Sequence, residues 1–88
     1  MIFEFDPNKS AANKSKHGID FLEAEALFAS SPLVIPARTE GGEERSFVIG
    51  KIGDLHWTAI VTRRGEVIRF ISVRRSRDNE RSMYEESR

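Results

Sequence analysis

The 88-residue chain contains no cysteine. This absence excludes disulfide staples, thiol nucleophiles and cysteine-ligated zinc or iron–sulfur sites. The two histidines, His17 and His56, are too few for a three-histidine zinc site, and there is no His-Glu-x-x-His motif. The sequence therefore predicts that the protein works with neither a metal ion nor a cofactor.

Several other patterns are missing as well. No apolar run approaches the roughly 20 residues that span a membrane, and the first residues lack the basic-then-apolar pattern of a secretion signal. A glycine-rich phosphate loop after a strand and a Gly-x-Ser-x-Gly elbow are also absent, which argues against a nucleotide hydrolase or a serine hydrolase. We expect a cytoplasmic protein without a membrane partner. Because no repeat or long linker divides the chain, we expect one domain over residues 1–88.

The chain also carries no net charge, because 14 Lys and Arg balance 14 Asp and Glu. The balance hides an uneven distribution. Residues 1–62 carry six basic and nine acidic side chains, whereas residues 63–88 carry eight basic and five acidic ones. Within residues 63–77, six arginines accompany only Glu66. Arginine forms bidentate contacts with phosphate, so this cluster predicts a phosphate-containing partner; the alternative is charge that keeps a strand-rich terminus soluble.

The first third of the chain has the pattern of one strand followed by two helices. Residues 2–5 form a short and mostly apolar segment, which is typical of a strand. Asp6-Pro7 is typical of a helix start, and Gly18 of a helix end, so we expect a helix over residues 7–17. A second helix is expected after Asp20, which has capping-box spacing to Glu23. Its apolar residues fall on one face: Phe21, Ala24, Leu27 and Phe28.

The rest of the chain is dominated by strand patterns. We expect strands over residues 33–35, 45–52, 55–62 and 67–74, with a loop at 39–42 and tight turns at Gly53-Asp54 and residues 63–65. The last three strands predict an antiparallel meander. A polar helix over residues 76–86, capped by Ser76, completes an α+β fold.

Three side chains allow more than one interpretation. His17 follows the first helix, where it either satisfies the last carbonyls or serves as a general acid. His56 beside the turn is expected to be exposed. Trp57 alternates with core positions and is expected in the core, with a base-stacking surface as the alternative.

The surroundings of Arg74 depend on which face of the last strand it occupies. Alternation puts Ile68, Phe70, Ser72 and Arg74 on one face, and both faces carry apolar residues, as expected of an inner strand. Arg74, Arg75 and Arg77 then have almost no acceptor nearby in the sequence.

Together these residues resemble the BrnT family of bacterial toxins. The resemblance rests first on the order Phe5-Asp6-Pro7-Asn8-Lys9, then Asn13, then Lys16-His17-Gly18-Ile19. It continues with Glu44-Arg45, Ile49-Gly50, the run at residues 68–75, Glu80-Arg81 and Tyr84. It covers nearly the whole chain. The chain departs from the family pattern at Phe5 and Val73, and residues 33–42 match poorly.

The resemblance implies a toxin of a type II toxin–antitoxin pair, with a RelE-like fold and ribonuclease activity that inhibits translation. It implies a partner similar to the BrnA antitoxin, with DNA contacted only through the antitoxin. The toxin is expected as a homodimer or in a heterotetramer with the antitoxin. The alternative from another class is a non-catalytic RNA- or partner-binding module that uses the arginines of residues 63–77.

Metal-free RNA cleavage needs cationic groups around the phosphate and groups that move protons. We expect Arg64, Arg74 and Arg75 to hold the phosphate in the transition state. His17 or Lys16 is the expected acid, and Glu44 the expected base. The remaining expected RNA ligands are Arg63, Arg69 and Arg77.

Overall fold

The structure, a computed structural model, describes residues 1–37, 41 and 43–88. Three helices, one 3₁₀ segment and five strands are present in this part of the chain. In order they are β1 (Ile2–Glu4), α1 (Pro7–His17), α2 (Phe21–Ala24), the 3₁₀ segment (Glu25–Ala29), β2 (Leu33–Pro36), β3 (Glu44–Ile52), β4 (Leu55–Arg64), β5 (Val67–Arg75) and α3 (Asp78–Glu86). Apart from Gly41, the expected loop at 39–42 lies outside the described residues.

The ends of α1 follow the local sequence. The carboxylate of Asp6 accepts a hydrogen bond from the Asn8 N–H at 2.8 Å, and Pro7 occupies the first turn. Gly18 ends the helix with φ at +81°, and its N–H donates to the carbonyl of Lys14 at 2.9 Å. Both predicted helix boundaries are confirmed.

The second helix is shorter than its apolar period predicts. Asp20 and Glu23 form the expected capping box, with hydrogen bonds of 2.7 and 3.0 Å. After Ala24 the chain tightens into the 3₁₀ segment, whose last residues precede Pro32. The buried face is nevertheless the predicted one, because Phe21, Ala24 and Leu27 are all buried.

The five strands form one sheet in the order β1-β5-β4-β3-β2. The β3–β4–β5 meander is antiparallel, as predicted, and β5 is an inner strand between β4 and β1. The sequence did not reveal that β1 pairs with β5 in parallel, with Glu4 opposite Arg69. The α+β class is confirmed.

A β-bulge in β5 overturns part of the predicted face assignment. Val61 pairs with Phe70 and Ile60 with Ser72, which leaves Ile71 as an extra residue. Phe70 and Val73 consequently both lie in the core, although strict alternation separates them. The same shift turns Arg74 away from the face of Phe70 and sets it opposite Thr58.

The main core lies between the sheet and the first helices. Phe70 is its centre, with ring centroids of Phe3, Phe21 and Phe28 at 5.6, 5.7 and 5.9 Å. Trp57 belongs to this core and is 8% exposed, which confirms the core interpretation rather than the base-stacking surface. On the other side of the sheet, α3 packs against β3 and buries Glu80 and Tyr84.

The start of α3 corrects one further prediction. Ser76 does not cap the helix, because its hydroxyl hydrogen-bonds to that of Thr58 at 2.8 Å. Arg77 is the capping residue instead. Its guanidinium has no acceptor atom, so Glu80 makes the only side-chain cap by accepting from the Arg77 N–H at 2.7 Å.

Candidate active site

A buried ion pair lies at the carboxyl end of β5. The Arg74 guanidinium donates from Nη1 and Nη2 to the two carboxylate oxygens of Glu80, at 2.7 and 2.9 Å. Glu80 is only 5% exposed. Such a two-pronged pair has strict geometry, so it fixes the start of α3 against the end of β5. We call Arg74, Arg75, Arg77 and Glu80 the strand-end cluster.

The electrostatics of Glu80 follow from these contacts. The hydrogen bonds from Arg74 are the main reason why the pKa of the Glu80 carboxyl is lowered to about 2. Further hydrogen bonds from the Arg77 N–H and the Thr58 hydroxyl act in the same direction. Glu80 in turn raises the pKa of Arg74. Both groups are therefore charged at neutral pH, and their charges cancel.

This pair changes the interpretation of the arginine run. The sequence suggested that Arg74 has almost no local acceptor, and that is wrong, because Glu80 reaches it from the first turn of α3. Residue 77 is Arg and not one of the usual helix-capping residues, so no sequence pattern pointed to Glu80 as the partner of Arg74. The bulge at Ile71 then decided which face Arg74 occupies.

Arg75 lies on the opposite side of the same strand end. It pairs across the sheet with Trp57, and its guanidinium lies 5.5 Å from the centroid of that ring. Its Nε donates to the carbonyl of His56 at 3.4 Å, and the Ser76 N–H donates to the same carbonyl at 3.0 Å. Arg75 is itself exposed. Its charge is thus held at a defined position and still faces solvent.

The C-terminal end of α1 is anchored close to this cluster. Asn13 donates to the carbonyls of Ile19 and Val73, at 2.8 and 2.9 Å, and accepts from the Val73 N–H at 3.2 Å. His17 is half-buried one turn further along the same helix face. Lys16 is exposed beside it in the last turn. Both expected acids therefore lie within about one helical turn of Asn13, which contacts the residue before Arg74.

Comparison with known proteins identifies the family of the chain. A family model described as a ribonuclease toxin, BrnT, of a type II toxin–antitoxin system matches residues 5–80. The chain belongs to the BrnT family. No curated protein matches the chain. Membership makes the chain a ribonuclease toxin whose substrate is RNA and whose partner is an antitoxin protein.

Other predicted residues of this BrnT-family toxin lie at the opposite end of the sheet. Glu44 pairs across the strands with Arg63, and Arg64 contacts Glu43 at 2.7 Å. We call Arg63, Arg64, Glu43 and Glu44 the hairpin-end cluster. Arg74 is opposite Thr58, six residues from Arg64 along β4, or about 20 Å. One phosphate cannot contact both clusters.

Arg69 belongs to neither cluster. It is half-buried in the middle of β5 and lies 3.5 Å from Glu4 on β1. An exposed pair of this kind contributes little to stability. The expected RNA ligands of the BrnT-family toxin are therefore spread over three regions of the sheet.

His56 is less exposed than the sequence predicted. Expected to be exposed, it is 14% exposed, with its ring 5.5 Å from that of Tyr84. Its Nε2 lies 3.7 Å from a carboxylate oxygen of Glu85. The sequence pattern gave no signal for this, because α3 covers the start of β4 only through the tertiary fold.

Across the described ranges of the BrnT-family toxin, no helix is long and apolar enough to span a membrane.

Proposed function

We propose that this toxin is a metal-independent endoribonuclease that inhibits translation in the cytoplasm, and that RNA binds at the strand-end cluster. The exposed guanidinium of Arg75, held over Trp57 at the end of β5, is the observation that carries this proposal. Arg77 is exposed two residues further on and adds a second cation. Two arginines at one strand end match the charge of an RNA phosphate.

The chemistry follows from what this end of the molecule offers. The 2′-hydroxyl oxygen attacks the adjacent phosphorus and loses its proton to a base. The bond from phosphorus to the 5′-oxygen breaks, and an acid protonates that oxygen. The products are a 2′,3′-cyclic phosphate and a 5′-hydroxyl. Arg75 and Arg77 stabilise the negative charge that builds on the phosphate oxygens.

Proton transfer needs a different side chain. Arginine is a poor proton donor because its pKa stays above about 12. His17 is the proposed acid, with Lys16 as the alternative on the same turn. Glu44, the expected base, lies in the hairpin-end cluster and is too far away to serve a phosphate at the strand-end cluster.

Arg74 has a different part in this proposal from its neighbours. Its two terminal nitrogens already contact Glu80, and its side chain is 19% exposed. We propose that Arg74 holds the site together and that Arg75 and Arg77 contact the phosphate. Arg74→Ala would leave a buried carboxylate without its main partner, so loss of activity in that variant would not by itself identify a phosphate ligand.

The antitoxin is proposed to be BrnA-like, and the toxin is proposed to form either a homodimer or a heterotetramer with the antitoxin. DNA contact is proposed to belong to the antitoxin. Family membership supports a protein antitoxin. Light scattering on the purified toxin and on the co-purified complex gives the mass of each and therefore the number of toxin copies in each.

Two double variants test the site. Arg75→Ala/Arg77→Ala removes two cations from the strand-end cluster, and Arg63→Ala/Arg64→Ala removes two from the hairpin-end cluster. We expect the first to slow RNA cleavage by about 100-fold, since oxyanion ligands have effects of this size. The second keeps a rate within about threefold of wild type, and circular dichroism shows whether each variant folds.

The reverse pattern would move the active site to the hairpin-end cluster. RNA binding without products, in the wild-type chain, would instead favour a binding module or a toxin that has lost activity.

A further inference from the structure

Glu80 is the most heavily bonded side chain of the strand-end cluster. Its carboxylate accepts from Arg74 twice, from the Arg77 N–H at 2.7 Å and from the Thr58 hydroxyl at 3.0 Å. The Thr58 hydroxyl also contacts that of Ser76 at 2.8 Å. One carboxylate thus ties together β4, the end of β5 and the first turn of α3.

These bonds fix the segment that carries the two proposed phosphate ligands, Arg75 and Arg77. Arg75 and Ser76 lie between Arg74 and Arg77, and both of those outer residues contact the same carboxylate. The middle of the segment is fixed separately, because the Arg75 Nε and the Ser76 N–H both donate to the His56 carbonyl. Every residue from 74 to 77 is therefore held by at least one hydrogen bond.

Stability alone is a poor explanation for such a network. A buried ion pair loses in desolvation much of what its charges gain, so apolar residues of similar volume stabilise a fold at least as well. A carboxylate so close to an RNA site would also repel the phosphate, unless a cation matched its charge. Arg74 supplies that cation, and its two-pronged geometry fixes an orientation that apolar packing would not.

We propose that Glu80 is a positioning residue for RNA cleavage: it aims Arg75 and Arg77 at the phosphate by fixing the segment of residues 74–77. This inference rests on the proposed function. Glu80 does not contact RNA; it acts through Arg74 and through the backbone of Arg77. Its loss misaligns the two cations without removing either of them.

Glu80→Gln is the main test. Glutamine keeps the size and one acceptor oxygen, but its amide N–H₂ faces the N–H groups of Arg74. We expect kcat for a defined RNA to fall at least tenfold, with KM changed less than about threefold, because both cations remain to attract RNA. The matched control is Asp78→Asn, an exposed acid on the same helix, and it should leave both constants unchanged.

A combined variant separates positioning from simple destabilisation. If Glu80 acts through the arginines, adding Glu80→Gln to Arg75→Ala/Arg77→Ala slows cleavage no further. If Glu80 only stabilised the fold, the losses from Glu80→Gln and from Arg75→Ala/Arg77→Ala would multiply. The effect of Glu80→Gln would then disappear when rates are expressed per folded molecule. Either of those results would overturn the proposal.

Thr58→Val covers the case in which Glu80→Gln does not fold at the assay temperature. It removes the hydroxyl that bonds to Glu80 and to the Ser76 hydroxyl but leaves the ion pair in place, and we expect kcat to fall about threefold to tenfold. An unchanged kcat would contradict the proposal. If Arg75→Ala/Arg77→Ala cleaves at the wild-type rate, the proposed active site itself has failed; if only that variant is slow and Glu80→Gln is fully active, only the positioning role has failed.

Discussion

At the scale of single residues, Glu80 links the stability of the fold to pH. Its carboxyl pKa is lowered to about 2 in the folded chain, mainly by Arg74, from an ordinary value of 4.5. A lowered acid pKa stabilises the fold above the unfolded value and loses that contribution as the pH falls toward the folded value.

We therefore expect the free energy of unfolding to fall by about 3 kcal/mol between pH 5 and pH 2. Urea unfolding at several pH values measures this dependence. In Glu80→Gln, this loss of unfolding free energy between pH 5 and pH 2 should be absent. If the wild-type chain and the variant lose stability in parallel over this range, the pair with Arg74 does not have the strength assigned to it.

The proton donor is also decided at the residue scale. His17 and Lys16 share the last turn of α1, but only His17 is half-buried on the face that carries Asn13. We expect His17→Gln to lower kcat by about 100-fold or more, as removal of a general acid does, while Lys16→Gln changes kcat little. Rates measured on the same RNA with both variants distinguish them, and a slow Lys16→Gln with a normal His17→Gln would exchange their roles.

At the scale of elements, the docking of α1 depends on one buried amide. β1 ends opposite Arg69 and does not reach Val73. The Asn13 side chain satisfies the N–H and carbonyl of Val73 there, as a longer strand would, and it also binds the Ile19 carbonyl. Three backbone groups in the interior depend on this side chain.

Asn13→Leu should therefore lower the free energy of unfolding by about 3 kcal/mol, because it leaves buried polar groups without partners. Asn8→Leu, at an exposed position of the same helix, should change it by less than about 0.5 kcal/mol. Chemical unfolding of both variants checks this difference. Equal losses in the two variants would contradict the role given to the Asn13 amide, because leucine is the better helix former at both positions.

The elements also show what a sequence can reveal. The ends of α1, the Asp20 capping box and the turn at Gly53 depend on neighbouring residues, so local patterns predicted them. The bulge at Ile71 and the parallel pairing of β1 depend on contacts distant in sequence, and no local pattern contains them. Arg74 was assigned to the wrong face for this reason, since a single extra residue reverses everything after it.

At the scale of the whole molecule, the zero net charge conceals two separate basic regions. The arginines of residues 63–77 are close in sequence, but β5 carries Arg74 and Arg75 a full strand length away from Arg63 and Arg64. The predicted turn at residues 63–65 and the predicted strand after it already implied this separation. The arginines of the candidate site could be predicted from the sequence, whereas the contact of Glu80 with Arg74 depends on α3 folding onto the sheet.

The most direct test of the account is the chemistry of the cleaved ends. The purified toxin is incubated with a defined RNA in excess EDTA, and separately with a translating extract that contains no EDTA, and the products are mapped. The account predicts 2′,3′-cyclic phosphate and 5′-hydroxyl ends from the wild-type chain, and a loss of about 100-fold in Arg75→Ala/Arg77→Ala. Products with 5′-phosphate ends, or cleavage that EDTA abolishes, would contradict it.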